Sequence, residues 1–213
     1  MKVLIVTPTW IDDALKVAAI HPRCEAAIEA QRMSADIDWL IGIDNPYPIP
    51  DHRNVLHQYQ AAREEFLAGE YAAFITVEHD NLLPDEGALQ RMMDTPGDVI
   101  YAPYLLRHAR PELNTWRYTD DRELGSSLSQ YPDELVEARQ FGIWPVCGAG
   151  MGCTLFRREV IEAIPFEATG PDNPCPDLGF ARAALRAGFR SYGRFDVPVA
   201  HYSRGRWLYP FTE

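Results

Sequence analysis

Short apolar runs alternate with amphipathic stretches through the first half of the chain. Lys2–Thr7 is a β-rich apolar run that the Thr7-Pro8-Thr9 turn closes. Pro22–Met33 carries Ala26, Ala27, Ala30 and Met33 at helical spacing, behind a proline suited to a first helical turn. Asp38–Ile43 reads as a second buried strand, closed by Asp44-Asn45-Pro46. His52–Leu67 reads as a helix with Val55, Tyr59, Ala62 and Phe66 on one face, and Tyr71–Val77 as a third strand. Pro84, followed by Asp85 and Glu86, opens another helix, because proline fits the first helical position and acids favour the positive helix end. Asp98–Leu106 is the fourth strand.

This alternation predicts an α/β fold: a mostly parallel sheet with helices on both faces. In such sheets ligands bind beyond the carboxyl ends of the strands. The loops after Thr7, Ile43 and Val77 fall on that edge, and Glu78-His79-Asp80 stands on it.

The second half has a different texture. Arg107–Gln140 is polar, holds Pro111 and Pro132 and lacks sustained periodicity, so it reads as a functional loop or a small helical insertion. Ile143–Phe156 is apolar and broken by Gly148, Gly150 and Gly152; Arg157–Ile164 then looks helical. Asp177–Ala187 is an amphipathic helix with Gly188 as its stop, and Ser191–Phe195 and Val197–His201 are short closing strands. Without repeats or a linker, the expectation is one domain over residues 1–213, with halves of different texture at 1–106 and 107–213.

Composition narrows the functional classes. A net charge of −11 argues against a general nucleic-acid binder, although it leaves room for a local basic patch. No run reaches the ~20 apolar residues that span a bilayer, and the N-terminal run is read as a buried strand and not as a signal peptide. The 4 cysteines form no CxxC pair, so reduced thiols and a cytoplasmic location are expected.

Glu78-x-Asp80 places two carboxylates on one side of an extended chain, where they can offer hard oxygens to a divalent cation such as Mg²⁺; the competing reading is a solvated acidic turn. Gly148-Ala149-Gly150 permits close backbone approach by a ligand or, equally, a bulge. Asp177 stands at a helix head, where a carboxylate serves either as general base or as an N-cap with a lowered pKa. Arg204 and Arg206, among Trp207, Tyr209 and Phe211, could neutralise a leaving diphosphate, pack over the sheet, or touch a membrane surface. Trp144 and the Arg107–Gln140 segment are placed to meet an acceptor, since aromatic faces suit sugar stacking. No P-loop or dinucleotide glycine motif follows a strand.

The order of these stretches resembles a GT-A glycosyltransferase, most like the family 2 type. The resemblance lies in Val3–Thr9, the strand end at Asp44, EYAAFITVEHDNLLPDEGALQRM, WPVCGAGMGCTLFRREVIEAI and PDLGFARAALRAGFRSYGRFDVPVAHY. It implies a nucleotide-diphosphate sugar as donor and Mn²⁺ or Mg²⁺ as cofactor. Glu78-His79-Asp80 would take the place of the D-x-D motif, with Asp80 on the metal and His201 completing its site. Thr7, Pro8, Thr9 and Asp44 would line the nucleotide pocket with Arg53 and Asn54; a surface charge at a helix start is the other reading of Arg53. Asp177 would be the inverting base, with Pro176 where the family has a second acid and Asp172 in reserve on the acceptor side. The acceptor is a glycan, a lipid-linked group, a protein or a modified nucleic acid, and a site peripheral to a membrane fits the second of these. A nucleotidyltransferase of similar fold and a non-catalytic sugar-nucleotide or glycan-binding module are the rival readings.

Overall fold

The computed structural model describes residues 2–9, 20–33, 35–42, 44–48, 51–107, 112–119 and 123–211. Ile43, Pro111 and residues 108–110 and 120–122 of the polar segment lie outside these.

The first half runs β1 (Lys2–Pro8), α1 (Pro22–Ala30), β2 (Asp36–Gly42), α2 (Arg53–Ala68), β3 (Ala73–Val77), β4 (Asn81–Leu82), α3 (Ala88–Met93) and β5 (Val99–Tyr101). The second half begins with the hairpin β6 (Thr115–Tyr118) and β7 (Leu124–Ser127), then α4 (Pro132–Phe141), β8 (Ile143–Pro145) and β9 (Gly148–Ala149). It ends with β10 (Cys153–Arg157), α5 (Arg158–Ala163), α6 (Asp177–Arg186), β11 (Ser191–Arg194), β12 (Ala200–Ser203) and β13 (Arg206–Leu208).

Seven strands form the central sheet in the order β2-β1-β3-β10-β5-β11-β8. The ladders β1–β2, β1–β3 and β5–β11 are parallel, whereas β10 runs antiparallel to both β3 and β5, and β8 antiparallel to β11. Five strands therefore share one direction and two are reversed. Successive residues of β1 feed opposite faces, as strand pleating requires. Leu4 and Val6 pack with Tyr59 and Phe66 of α2, Val160 of α5 and Phe180 of α6. Val3 and Ile5 pack with Ile28 of α1 and Leu89 and Met92 of α3. Helices thus cover both faces.

Three expectations shift in detail. The fourth strand is Val99–Tyr101 and not the longer Asp98–Leu106, because the chain leaves the sheet once β10 and β11 have been paired. The helix expected from Pro84 begins at Ala88: Asp85 closes a turn by accepting from the Gly87 N–H at 2.9 Å and pairs with Arg91. The polar segment is neither a bare loop nor purely helical, since it contributes the β6–β7 hairpin and α4, and β6 pairs with β9.

An aromatic cluster holds the link between α5 and α6. Phe166 stacks on Phe180 at 5.0 Å and on Tyr59 at 5.3 Å, and meets Phe74 at 5.5 Å. It is 1% exposed and lies on the segment that leads to Asp177. Phe166→Ala should lower the unfolding free energy by about 3–5 kcal/mol, through lost burial and the cavity left behind. Urea unfolding reads this directly, and a loss under about 1 kcal/mol would show that the cluster anchors nothing.

Candidate active site

The carboxyl end of β3 delivers Glu78, His79 and Asp80, and a small sheet fixes what faces them. β4 and β12 are antiparallel with His201 opposite Asn81, and the Tyr202 N–H donates to the Asp80 carbonyl at 2.8 Å. Two residues distant in sequence, Asp80 and His201, are thereby held side by side. β10 arrives from the opposite direction, so the Glu78 N–H donates to the Gly152 carbonyl at 2.8 Å and the Gly150–Gly152 turn joins the same edge.

Asp80 and His201 are both buried. The His201 ring stands edge-on to Tyr104 with centroids 5.2 Å apart. Its Nδ1–H donates to the Leu105 carbonyl at 2.7 Å, which leaves the Nε2 lone pair directed into the site. Arg107 Nε–H donates to that Nε2 at 2.8 Å. Burial, with the Arg107 charge adding to it, lowers the His201 pKa to about 4, so the ring is neutral. His79 is held at about 4 by the same two causes. The Arg107 guanidinium also forms an ion pair with Asp80 Oδ2.

The site can hold a cation. Ligand atoms of Glu78, Asp80 and His201 lie within 4.8 Å of one another. Among the described residues, Asp80 Oδ1 is buried without a hydrogen-bond partner. Such an orphaned oxygen is costly unless something outside the chain satisfies it. Two carboxylates and an imidazole suit Mn²⁺, with Mg²⁺ favouring the oxygens alone.

Asp177 is the first residue of α6 and is not its N-cap; Pro176 takes that position, and Thr169 Oγ1 accepts the first-turn Gly179 N–H at 3.0 Å. Asp177 Oδ2 instead accepts the Met151 N–H at 3.3 Å. A cap would have lowered its pKa. Desolvation raises it, against the smaller effects of the Met151 N–H and the His52 ring. Burial, reinforced by the Asp177 charge, raises Glu78 to about 7. Both carboxyls are half-buried and line one cavity. That cavity, about 460 Å³, is walled by Pro8, His52, Tyr104 and Cys175 along with Glu78, His201 and Asp177. A second hollow of about 630 Å³ adjoins it across His79 and Arg107 and reaches Arg204 and Tyr202. A larger cavity of about 700 Å³ lies apart, between α6 and the β6–β7 hairpin.

The remaining candidates are spread more widely. Pro8 lines the cavity, whereas the neighbouring threonines serve the scaffold: Thr7 Oγ1 accepts from Trp39, and Thr9 Oγ1 donates to the Gly42 carbonyl. Asp44 is exposed and bonded to His57 at 2.8 Å. Arg53 pairs with Asp51 and lies over the Tyr47 ring, and Asn54 clamps the Tyr47 main chain at both N–H and carbonyl. Gly150 sits in the site, because a Cβ there would collide with the Tyr104 hydroxyl and approach Asp177 Oδ2 to 3.4 Å. Gly148 sits against α6, where a Cβ would meet that of Ala181 at 2.6 Å. Arg204 takes φ 51° beside Gly205 at 81°, forming the two-residue turn between β12 and β13 that sets it above the second hollow. Trp144 lies on β8 at the sheet's edge, stacked with Phe141, and Asp172 is exposed on the loop before α6.

Arg107, Tyr104, His52 and Cys175 are site residues that the motifs did not single out. Arg107 alone carried a signal: it is the first charged residue after the fourth apolar run, at the ligand-binding edge.

The chain matches no protein-family model and no curated protein. Among solved structures it resembles A197 from STIV, at 19% identity over 99% of this chain and 91% of that one, with a TM-score of 0.62. That likeness establishes a shared fold. A glycosyltransferase involved in glycosylation of the major capsid of PBCV-1 aligns at 10% identity over 76% of this chain and 63% of its own, with a TM-score of 0.40. CMP:2-keto-3-deoxy-manno-octonic acid synthetase complexed with CTP aligns at 15% over 91% and 89%, with a TM-score of 0.47. Neither of the last two likenesses is close enough to carry an argument about this chain.

Glu78 yields a pH prediction. Below about pH 4.5 it is protonated whether the chain is folded or not. Between there and about 7 the native state keeps a proton that the unfolded chain gives up, so wild type loses stability as pH rises. Glu78→Gln removes this loss, while His79 and His201 titrate alike in both proteins. In EDTA, the stability difference should grow in favour of the variant from pH 4.5 to 8 by on the order of 1–3 kcal/mol, levelling above about 7. A difference that stays flat in unfolding titrations would show that Glu78 is not desolvated.

Proposed function

We propose that the protein is a metal-dependent glycosyltransferase that moves a sugar from a nucleotide-diphosphate donor to an acceptor hydroxyl with inversion. One observation carries this reading. A carboxylate with a raised pKa, Asp177, shares a cavity with Glu78 and His201, two members of a cluster able to hold a cation. The motif order that resembles GT-A enzymes of the family 2 type supports the same reading.

Glu78, Asp80 and His201 would hold Mn²⁺ or Mg²⁺, which when bound supplies positive charge to the donor's diphosphate. Pro8 walls the donor side, and Gly150 keeps space between Tyr104 and Asp177. Asp177 takes the acceptor's proton while the acceptor oxygen attacks the anomeric carbon from the face opposite the leaving diphosphate. Its raised pKa improves it as a base, since proton transfer is most effective when base pKa and working pH approach each other. The bond to the diphosphate breaks with its electron pair, and Arg204, which lines the same hollow as Asp80, would meet that charge.

Asp177→Asn can still accept the Met151 N–H, so folding and donor affinity should survive. Turnover should fall by roughly 10²–10⁴-fold. Asp80→Asn should instead lower metal binding, donor binding and turnover together. A panel of nucleoside diphosphates in thermal-shift assays, with and without Mn²⁺, separates the two variants, because only ligand bound to the native state raises its melting point. Near-normal turnover in Asp177→Asn would move the base elsewhere, with Asp172 next to test. NMR of the product should show an inverted anomeric centre; retention contradicts the assignment of Asp177.

A further inference from the structure

In the described structure the atoms that would bind a cation are already engaged by a cation of the chain's own. Arg107 Nε–H occupies the lone pair of His201 Nε2 at 2.8 Å, and its guanidinium pairs with Asp80 Oδ2. An imidazole nitrogen cannot accept an N–H and coordinate a metal at once. Asp80, 6% exposed, needs a positive partner, because an uncompensated buried carboxylate is strongly unfavourable. Arg107 meets that need incompletely, leaving Asp80 Oδ1 without a partner. The Arg107 side chain is 46% exposed and borders both hollows, so it has somewhere else to go.

We infer that Arg107 and a divalent cation are alternative occupants of the Asp80–His201 site, and that a diphosphate entering with the metal receives the displaced guanidinium. The inference rests on the metal site proposed above. The planar fork of a guanidinium matches phosphate oxygens in pairs, so the diphosphate offers Arg107 an anion as good as the one it leaves. Metal alone must evict Arg107 into water; metal with diphosphate need not. By linkage, each ligand then raises the affinity of the other by the same factor. The empty site is kept electrostatically closed until both arrive.

The test compares wild type, Arg107→Gln and Arg107→Lys, with Mn²⁺ as the probe, by calorimetry and by the EPR signal of free Mn²⁺. Without nucleotide, Arg107→Gln should bind Mn²⁺ about 10–100-fold more tightly than wild type, the factor expected if the competent site is exposed about 1–10% of the time. Arg107→Lys keeps the charge and should remain close to wild type. With Mn²⁺ saturating, inorganic pyrophosphate should bind wild type about 10-fold more tightly than Arg107→Gln, as one charge-assisted pair is worth. Equal Mn²⁺ affinity in wild type and Arg107→Gln overturns the exchange and leaves the metal site standing. If none of the three proteins binds Mn²⁺, the metal site itself falls, and the exchange with it. A measurement that needs no substitution is the ¹⁵N resonance of Arg107 Nε in wild type. It should shift when Mg²⁺ and pyrophosphate are added together, and a resonance unchanged at saturation overturns the exchange.

Discussion

The reversal of β10 is the constraint on which the rest of the site depends. A strand running antiparallel between β3 and β5 begins where they end. Its entry turn, Gly150–Gly152, is therefore set against Glu78 at the edge where parallel strands finish. Without that reversal the second half of the chain would reach this edge only through long connections. With it, the hydrogen bond from Glu78 to Gly152 joins the halves at the point where the carboxylates lie, and the Met151 N–H is placed to hold Asp177.

Much of this was legible where the deciding interactions are local. The pleated alternation of Val3, Leu4, Ile5 and Val6 needs only neighbouring residues to be read, and the sheet faces follow it. The position of Glu78 and Asp80 at a strand end follows from the same rule. Arg107 was legible only as the first charge after the fourth apolar run; its contact with a histidine 94 positions away was not. Asp177 shows another limit. Asp before an apolar helix has a strong local preference for capping, yet the Gly150–Met151 turn packs against it and offers a better-placed N–H. Arg53 and Asn54 show the converse: at a helix start their partners are local, Asp51 and Tyr47, and those contacts set their roles in the scaffold.

The charges of the site make a coherent whole. Burial keeps the two imidazoles neutral and, with the Asp177 charge adding to it, raises the Glu78 pKa to about 7. Asp80 is answered by the Arg107 guanidinium, whereas Asp177 has the Met151 N–H as its partner. An anionic ligand would therefore meet carboxylates partly offset, by Arg107 and by the Glu78 proton, in a protein whose net charge is −11. Long-range repulsion from the whole is screened within about 10 Å at moderate ionic strength, and the local offset eases the last step of approach.

The inserted strand also orders events during synthesis. β1, β2 and β3 pair among themselves and can assemble as soon as they have left the ribosome. β5 has no partner made before it; both of its neighbours, β10 and β11, come later in the chain. Until residues 153–157 emerge, one edge of β3 and both edges of β5 present unpaired backbone, the kind of surface on which chains associate wrongly. The pocket is completed later still, because Asp177 and His201 follow β10 in the chain, and β11 seals the second edge of β5 before His201 is made. The residues of the site can therefore come together only after every strand that seals those edges has been made.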